Sequence, residues 1–270
     1  MKNSSRQSFL GPDAQKIFAE CRVAIVGLGG GGSHIVQQLA HVGFLNFVLF
    51  DPDTIEEHNL NRLIGGTLAD ARKMEPTPKV EIAARMIRGL QPEASIELHQ
   101  QRWQEAPAAL QACDLVFGCL DGIRERNELQ VCVRRFLIPW IDVGLDVHTV
   151  APEPPQMAGQ VVLTTPDGPC LRCLGVITEQ NLADEATDYG QAGIRPQVVW
   201  ANGVLASAAV GLAVELLTNW TKTPRPLVWL SYEGNHGTLG PHRLLPYVDL
   251  SRACPHFSQA ELGSNAFRKL

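Results

Sequence analysis

The sequence predicts a doubly wound α/β fold, a mostly parallel sheet with a mixed, antiparallel C-terminal extension. Three observations predict it. Short apolar runs alternate with helix-periodic stretches through the first half of the chain. Most runs end at a glycine or a carboxylate. Beyond residue 144 further strand-like runs appear without matching crossover helices. At 270 residues the chain is long enough for one large domain with an elaborated second half. It is read as a single domain, with an N-terminal arm (1–22), a first half (23–144) and a second half (145–270).

The elements follow in order. VAIVG at 23–27 is a buried strand that meets a cluster of glycines. From 33 to 42 the apolar residues Ile35, Val36, Leu39 and Ala40 recur at helical spacing. NFVLFD at 46–51 is a second strand ending in a carboxylate. KVEIAARMIRGL at 79–90 is helical, and 95–98 is a short strand. DLVFGCLD at 114–121 is another strand, followed by a helix from 123 to about 136, and IPWIDVG at 138–144 closes the series. After a Pro-rich loop, APEPPQ, come strands at 159–165 and 225–234. The polar stretch 178–196 shows no clear periodicity and is expected to be a long loop, functional or mobile. The apolar stretch 198–217 approaches membrane length. It is rich in Ala and Gly, contains Asn202 and ends in Glu215, so a buried helix is expected and no membrane span.

Composition narrows the function. A hydrophobic share of 45% with 19% charged residues is that of an ordinary globular protein. A net charge of −5 argues against nucleic acid or anionic membrane as a partner. The first residues, MKNSSRQSFLGPD, lack the apolar core of a signal peptide, and seven cysteines are an odd number. Free thiols or a metal site in a cytoplasmic protein are therefore expected over a disulfide framework.

Gly27, Gly29 and Gly32 fit G-x-G-x-x-G between a strand and a helix, the Rossmann-like phosphate loop, where a tight turn lets backbone N–H groups approach an anion. Asp51, at the end of the second strand, stands where a ribose-binding acid belongs. A nicotinamide site needs nothing more. Here DPDTIEEHNLNR adds Asn59 and Arg62, the next helix opens on Lys79, and the fourth strand ends in Asp121. Cations and polar donors beyond the glycine loop suit a triphosphate, and an acid at the carboxyl edge of the sheet can hold Mg²⁺.

These segments resemble the E1-like adenylyltransferase family, which includes ThiF, MoeB, HesA and the ubiquitin-activating enzymes. RVAIVGLGGGGSHIVQQLAHVGFLNFVLFDPDTIEEHNLNR looks like its glycine loop, ribose acid and N-x-x-R signature. PKVEIAARMI is similar to its lysine helix, and DLVFGCLDGIRERNEL to its magnesium-aspartate segment. The link from Arg62 to Lys79 is longer than the family pattern and could shift Lys79. The resemblance implies that 23–144 is a nucleotide-binding half and 145–270 a partner-binding and dimer half. It implies that Asp51 binds the ATP ribose, that Asn59, Arg62 and Lys79 hold phosphates, and that Asp121 coordinates Mg²⁺. Arg6-Gln7 resembles an N-terminal pair whose arginine reaches the triphosphate of the other subunit in a homodimer. Arg126-Asn127 is expected to be structural. The implied reaction is ATP-dependent adenylation of the C-terminal glycine of a small ubiquitin-like or sulfur-carrier protein, with an E2-like or sulfurtransferase protein downstream. The rival readings are an NAD-dependent oxidoreductase and an E1-like scaffold without turnover.

Cys170 and Cys173 have zinc-knuckle spacing in CLRC. Many relatives close a Cys₄ site with a second such pair. Here RACPHF offers Cys254 and His256 instead, for a Cys₃His zinc site or a degenerate one. Relatives that form a thioester carry a cysteine in the loop before the late helix. In this chain Tyr189 or Gly190 falls there, so the enzyme is expected to stop at the adenylate. Cys21, Cys113, Cys119 and Cys132 are expected in or beside the core.

Overall fold

In a computed structural model, described for residues 4–149, 152–187, 196–222, 228–250 and 254–257, one sheet runs β3-β2-β1-β4-β5-β6-β7-β8. The parallel strands are β1 (Arg22–Val26), β2 (Asn46–Phe50), β3 (Ser95–His99), β4 (Leu115–Gly118) and β5 (Trp140–His148). The antiparallel extension is β6 (Gln156–Thr164), β7 (Trp229–Glu233) and β8 (Thr238–Pro241). The helices are α1 (Ala14–Glu20), α2 (Gly30–Val42), α3 (Leu68–Ala71), α4 (Lys79–Leu90), α5 (Ile123–Arg135), α6 (Glu179–Thr187) and α7 (Val199–Thr218).

The inner strands are apolar on both faces because helices cover both. Ile25, Leu49, Phe117 and Val143 pack with Ile35 and Leu39 of α2 and with Leu205 and Ala209 of α7. Ala24, Val48, Val116 and Trp140 pack on the other side with Leu129 and Val133 of α5. Among the described residues α7 is the one helix long and apolar enough to cross a membrane. It lies instead against α2, β5 and β6, as a core helix.

Four differences from the sequence reading bear on the site; α1, α3 and β8 also lie outside that reading. The helix after β1 begins at Gly30 rather than 33: the side-chain-free residues Gly30–Gly32 form its first turn. β4 stops at Gly118, which leaves Cys119 and Asp121 in the loop beyond it. β5 continues four residues past Gly144, because it pairs with β6 along its whole length, from Trp140↔Thr164 to His148↔Gln156. The expected loop at 178–196 contains α6. Thr178 and Asn181 cap it reciprocally: Thr178 N donates to Asn181 Oδ1 (2.8 Å), and Asn181 N to Thr178 Oγ1 (3.1 Å). Leu182 anchors it on the second core. Tyr189 and Gly190 lie outside the described residues.

The long link before Lys79 is pinned around the buried carboxylate of Asp70. Arg85 donates to both of its oxygens (2.9 and 2.7 Å), Thr67 to Oδ2 and Thr77 to Oδ1. An antiparallel bridge, Thr54↔Pro78, then returns the chain to the end of β2. The Arg85 guanidinium, aided by the threonine donors, holds the Asp70 pKa well below the usual carboxylate range. A depressed native pKa stabilises the fold above the unfolded value and loses that contribution as pH falls. We expect Asp70→Asn to cost about 1–3 kcal/mol at pH 7, discounted because Arg85 is half exposed. In urea titrations across pH, the gap to wild type should shrink as pH falls below about 4. A gap that stays constant down to pH 2 would contradict this account.

Candidate active site

β1 lies between β2 and β4, and its last residue, Val26, pairs with both Phe50 and Gly118. One residue on, Gly27, Asp51 and Cys119 therefore stand side by side where the strand order reverses, the place where open α/β sheets bind ligands. The ladder extends to hold them: Gly27 N donates to Phe50 O (2.9 Å) and Cys119 N to Val26 O (2.8 Å). Gly27, Gly29, Asp51, Asn59, Arg62, Lys79 and Asp121 line one cleft there.

Two of the glycines are sterically required. Gly27 has φ +88°, and a Cβ on it would lie 2.4 Å from the Cys119 carbonyl oxygen. A Cβ on Gly32 would lie 1.9 Å from the Gly27 oxygen, so α2 could not sit on the turn. Gly29 meets nothing within 4 Å and opens onto the cleft.

Asp51 is buried. Its Oδ2 accepts from Leu28 N (2.7 Å) and its Oδ1 from Asp53 N (2.9 Å), tying the glycine loop to the turn after β2. Burial pushes its pKa up, while the Lys79 charge and the two N–H groups pull the other way. Lys79 Nζ lies 2.7 Å from Asp53 Oδ2 and 3.8 Å from Asp51 Oδ1, so the long link leaves this lysine in the cleft. Asn59 is buried, and its Oδ1 accepts from Glu56 N (3.0 Å) to close the 3-10 turn Glu57–Asn61. Arg62 Nη1 donates to His58 O (3.1 Å) and Asn61 Oδ1 (3.0 Å).

Asp121 Oδ1 accepts from Gln197 Nε2 at 2.9 Å, and Gln197 O accepts from Asn61 Nδ2 at 3.1 Å. Beneath this wall Arg126 grips Asp142 with two hydrogen bonds. Burial works against the Arg126 charge, but the carboxylates of Asp142, Asp121 and Glu185 together hold its pKa up. Arg6 is exposed on the N-terminal 3-10 turn (Ser4–Leu10) and does not line the cleft of its own chain.

Cys170, Cys173, Cys254 and His256 converge away from the cleft, with all four ligand atoms within 4.8 Å of one another. The Sγ–Sγ separations are 3.7 Å (Cys170–Cys173) and 3.5 Å (Cys173–Cys254). His256 Nδ1 is 3.4, 3.3 and 3.8 Å from Cys170, Cys173 and Cys254. A tetrahedral ion with metal–sulfur bonds of about 2.3 Å has edges of roughly 3.8 Å, so the donor set and its dimensions fit zinc. The tight Cys-x-His spacing is accommodated.

Comparison with known proteins adds a sequence match over most of the chain. A family profile described as the ThiF family matches residues 2–246. The chain belongs to the ThiF family. It is 31% identical to the SAMP-activating enzyme E1 of Haloferax volcanii over 193 residues, covering 70% of this chain and 67% of that protein. It is 32% identical to the molybdopterin-synthase adenylyltransferase of Escherichia coli over 215 residues, 78% of each. Its fold is that of Escherichia coli MccB, with a TM-score of 0.71 at 18% identity, covering 90% of this chain and 71% of that one.

Several residues of this ThiF-family site were not singled out from the sequence: Asp53, Asn61, Asp142, Glu185 and Gln197. Asp53 and Asn61 adjoin motif residues, whereas the other three become visible only through partners distant in the chain. Arg126-Asn127 has the structural surroundings expected of it: Asn127 Oδ1 accepts from Arg172 Nε at 3.0 Å.

Of the cysteines outside the metal cluster three are buried, and Cys119 is partly exposed at the cleft. Cys21, Cys113 and Cys132 are buried, and burial pushes their thiols up to about 12, about 11 and about 12. The Cys119 thiol packs over α2 at Gly31, and burial followed by the Asp142 and Asp121 charges raises its pKa. Such thiols are poor nucleophiles. Alkylation at pH 8 without denaturant should leave all four unlabelled, and urea should expose them, as read by peptide mass spectrometry. Rapid native labelling of Cys119 would contradict this packing.

Proposed function

We propose that this chain adenylates the C-terminal carboxylate of a small ubiquitin-like or sulfur-carrier protein. The observation that carries the reading is the single cleft at the sheet's switch point, which gathers the glycine loop, Asp51, Arg62, Lys79 and Asp121. The named relatives, an activating enzyme and an adenylyltransferase, support adenylation over an NAD-dependent oxidoreductase or a silent scaffold. The cleft measures about 2190 Å³, well beyond the few hundred Å³ that a small molecule fills, so a nucleotide and a polypeptide end fit together.

In the reaction a carboxylate oxygen of the partner attacks the α-phosphorus of ATP. The bond to the bridging oxygen breaks, pyrophosphate leaves, and an acyl-adenylate remains. The N–H groups at the start of α2, with Gly27, Gly29 and Gly32 allowing the approach, cradle the phosphates. Asp51, already oriented by Leu28 and Asp53, accepts a ribose hydroxyl. Asn59, Arg62 and Lys79 hold the triphosphate in line, and Lys79 exchanges Asp53 for phosphate oxygen. Positioning and oriented charge of this kind need no covalent enzyme intermediate. Asp121 is an exposed carboxylate at the cleft and would hold Mg²⁺, a cation that takes oxygen donors. When bound, Mg²⁺ neutralises charge developing on the phosphates.

Arg6 is assigned to the site of the partner subunit in a homodimer, the Cys₃His cluster to structural zinc, and the reaction to the cytoplasm. An E2-like or sulfurtransferase protein would receive the adenylate.

With its cognate partner protein the chain should catalyse ATP–pyrophosphate exchange. Asp121→Asn should lower the rate about 100-fold or more while the melting temperature holds. Mixing inactive Arg6→Ala and Asp121→Asn homodimers should restore about a quarter of wild-type exchange, if arginine acts in trans. Wild-type exchange in the Asn variant would remove Asp121 from the site, and no rescue despite subunit exchange would return Arg6 to its own chain.

Elemental analysis should find about one zinc per chain, lost with Cys170→Ser. A metal-free protein of full stability, purified without chelator, would show the cluster to be degenerate.

A further inference from the structure

Glu185 of α6 presents both carboxylate oxygens to the first turn of α5. Ile123 N donates to Oε1 at 2.8 Å and Arg124 N to Oε2 at 2.7 Å. These are N–H groups that a helix leaves unpaired at its start, and a negative acceptor there is favourable. Oε1 also lies close over Gly122, 3.2 Å from where a Cβ would stand. Glu185 therefore holds the three residues that follow Asp121.

Gln197, which precedes α7, holds the carboxylate itself. Its Nε2 donates to Asp121 Oδ1, its backbone oxygen accepts from Asn61 Nδ2, and Asn61 Oδ1 accepts from Arg62. A chain of hydrogen bonds thus crosses the cleft from Arg62 through Asn61 and Gln197 to Asp121. An exposed aspartate on a loop would otherwise lose rotamer and loop freedom on taking up a cation. Fixing it beforehand removes that cost.

We propose that Glu185 and Gln197 are positioning residues for Asp121, one setting the turn that carries it and the other its carboxylate rotamer, so that both govern affinity for the divalent cation. The inference rests on the assignment of Asp121 as the magnesium acid.

Mn²⁺ is the probe. Its binding to the full-length protein, saturated with a non-hydrolysable ATP analogue, is followed from the EPR signal of the free ion, beside thermal melts. Glu185→Ala and Gln197→Ala should each weaken Mn²⁺ binding about tenfold, the usual effect of removing an outer partner of a metal ligand. Glu185→Gln retains one acceptor oxygen and should fall between wild type and the alanine variant. Wild-type Mn²⁺ affinity in both alanine variants, with or without a lowered melting temperature, overturns the proposal if Asp121→Asn loses the ion. Wild-type affinity in Asp121→Asn as well would instead overturn the assignment of Asp121 on which the proposal stands.

Discussion

The close seat of α2 on the end of β1 is the constraint from which the site follows. A Cβ on Gly32 would stand 1.9 Å from the Gly27 oxygen, and no rotamer change relieves a clash between a Cβ and a backbone oxygen. With that seat in place the free N–H groups of the helix point over the sheet's carboxyl edge. Asp51 can then reach Leu28 N, and Lys79 can reach Asp51 and Asp53. The buried acid tolerates its position because two N–H groups and one cation surround it, although burial still raises its pKa.

α5 connects the cleft to the cysteine cluster. Its start is capped by Glu185, and its first turn is fixed to β5 by the Arg126–Asp142 pair. Gln130 Oε1 accepts from Leu171 N (2.6 Å) inside the knuckle. In its last turn the buried Arg134 donates to the carbonyls of Thr165, Pro166 and Gly168, which lead into Cys170. Buried charges of this kind add little net stability against an apolar alternative, yet removing one partner is costly. Their effect here is to fix where the helix lies.

Much of this was legible in the sequence because it rests on local pattern. The apolar runs and the glycine turn identify the strands and the order in which they cross over. Asp51, Lys79 and Asp121 are readable because each closes or opens an element at the same sheet edge. Four cysteine and histidine positions suggested the cluster that the fold assembles. What could not be read depends on long-range pairing. Asn61 and Gln197 are 136 residues apart, and Gln197 and Asp121 are 76 apart. α6 was missed because it packs through little more than Leu182 and has a largely polar surface, so its caps mark it better than its periodicity. β5 was cut short at Gly144 because small and polar residues beyond it are stabilised by pairing with β6 rather than by a core.

With an ion bound, the Cys₃His cluster would tie distant parts of the chain together. Its two halves, Cys173 and Cys254, are 81 residues apart, and α6, α7, β7 and β8 lie between them. A tie across a loop of that length removes denatured-state entropy worth on the order of 4–5 kcal/mol in the chain-closure picture. One ion seated there would restrict the chain much as a disulfide does. Its release would then be felt first where the chain beyond β8 meets the loop after β6.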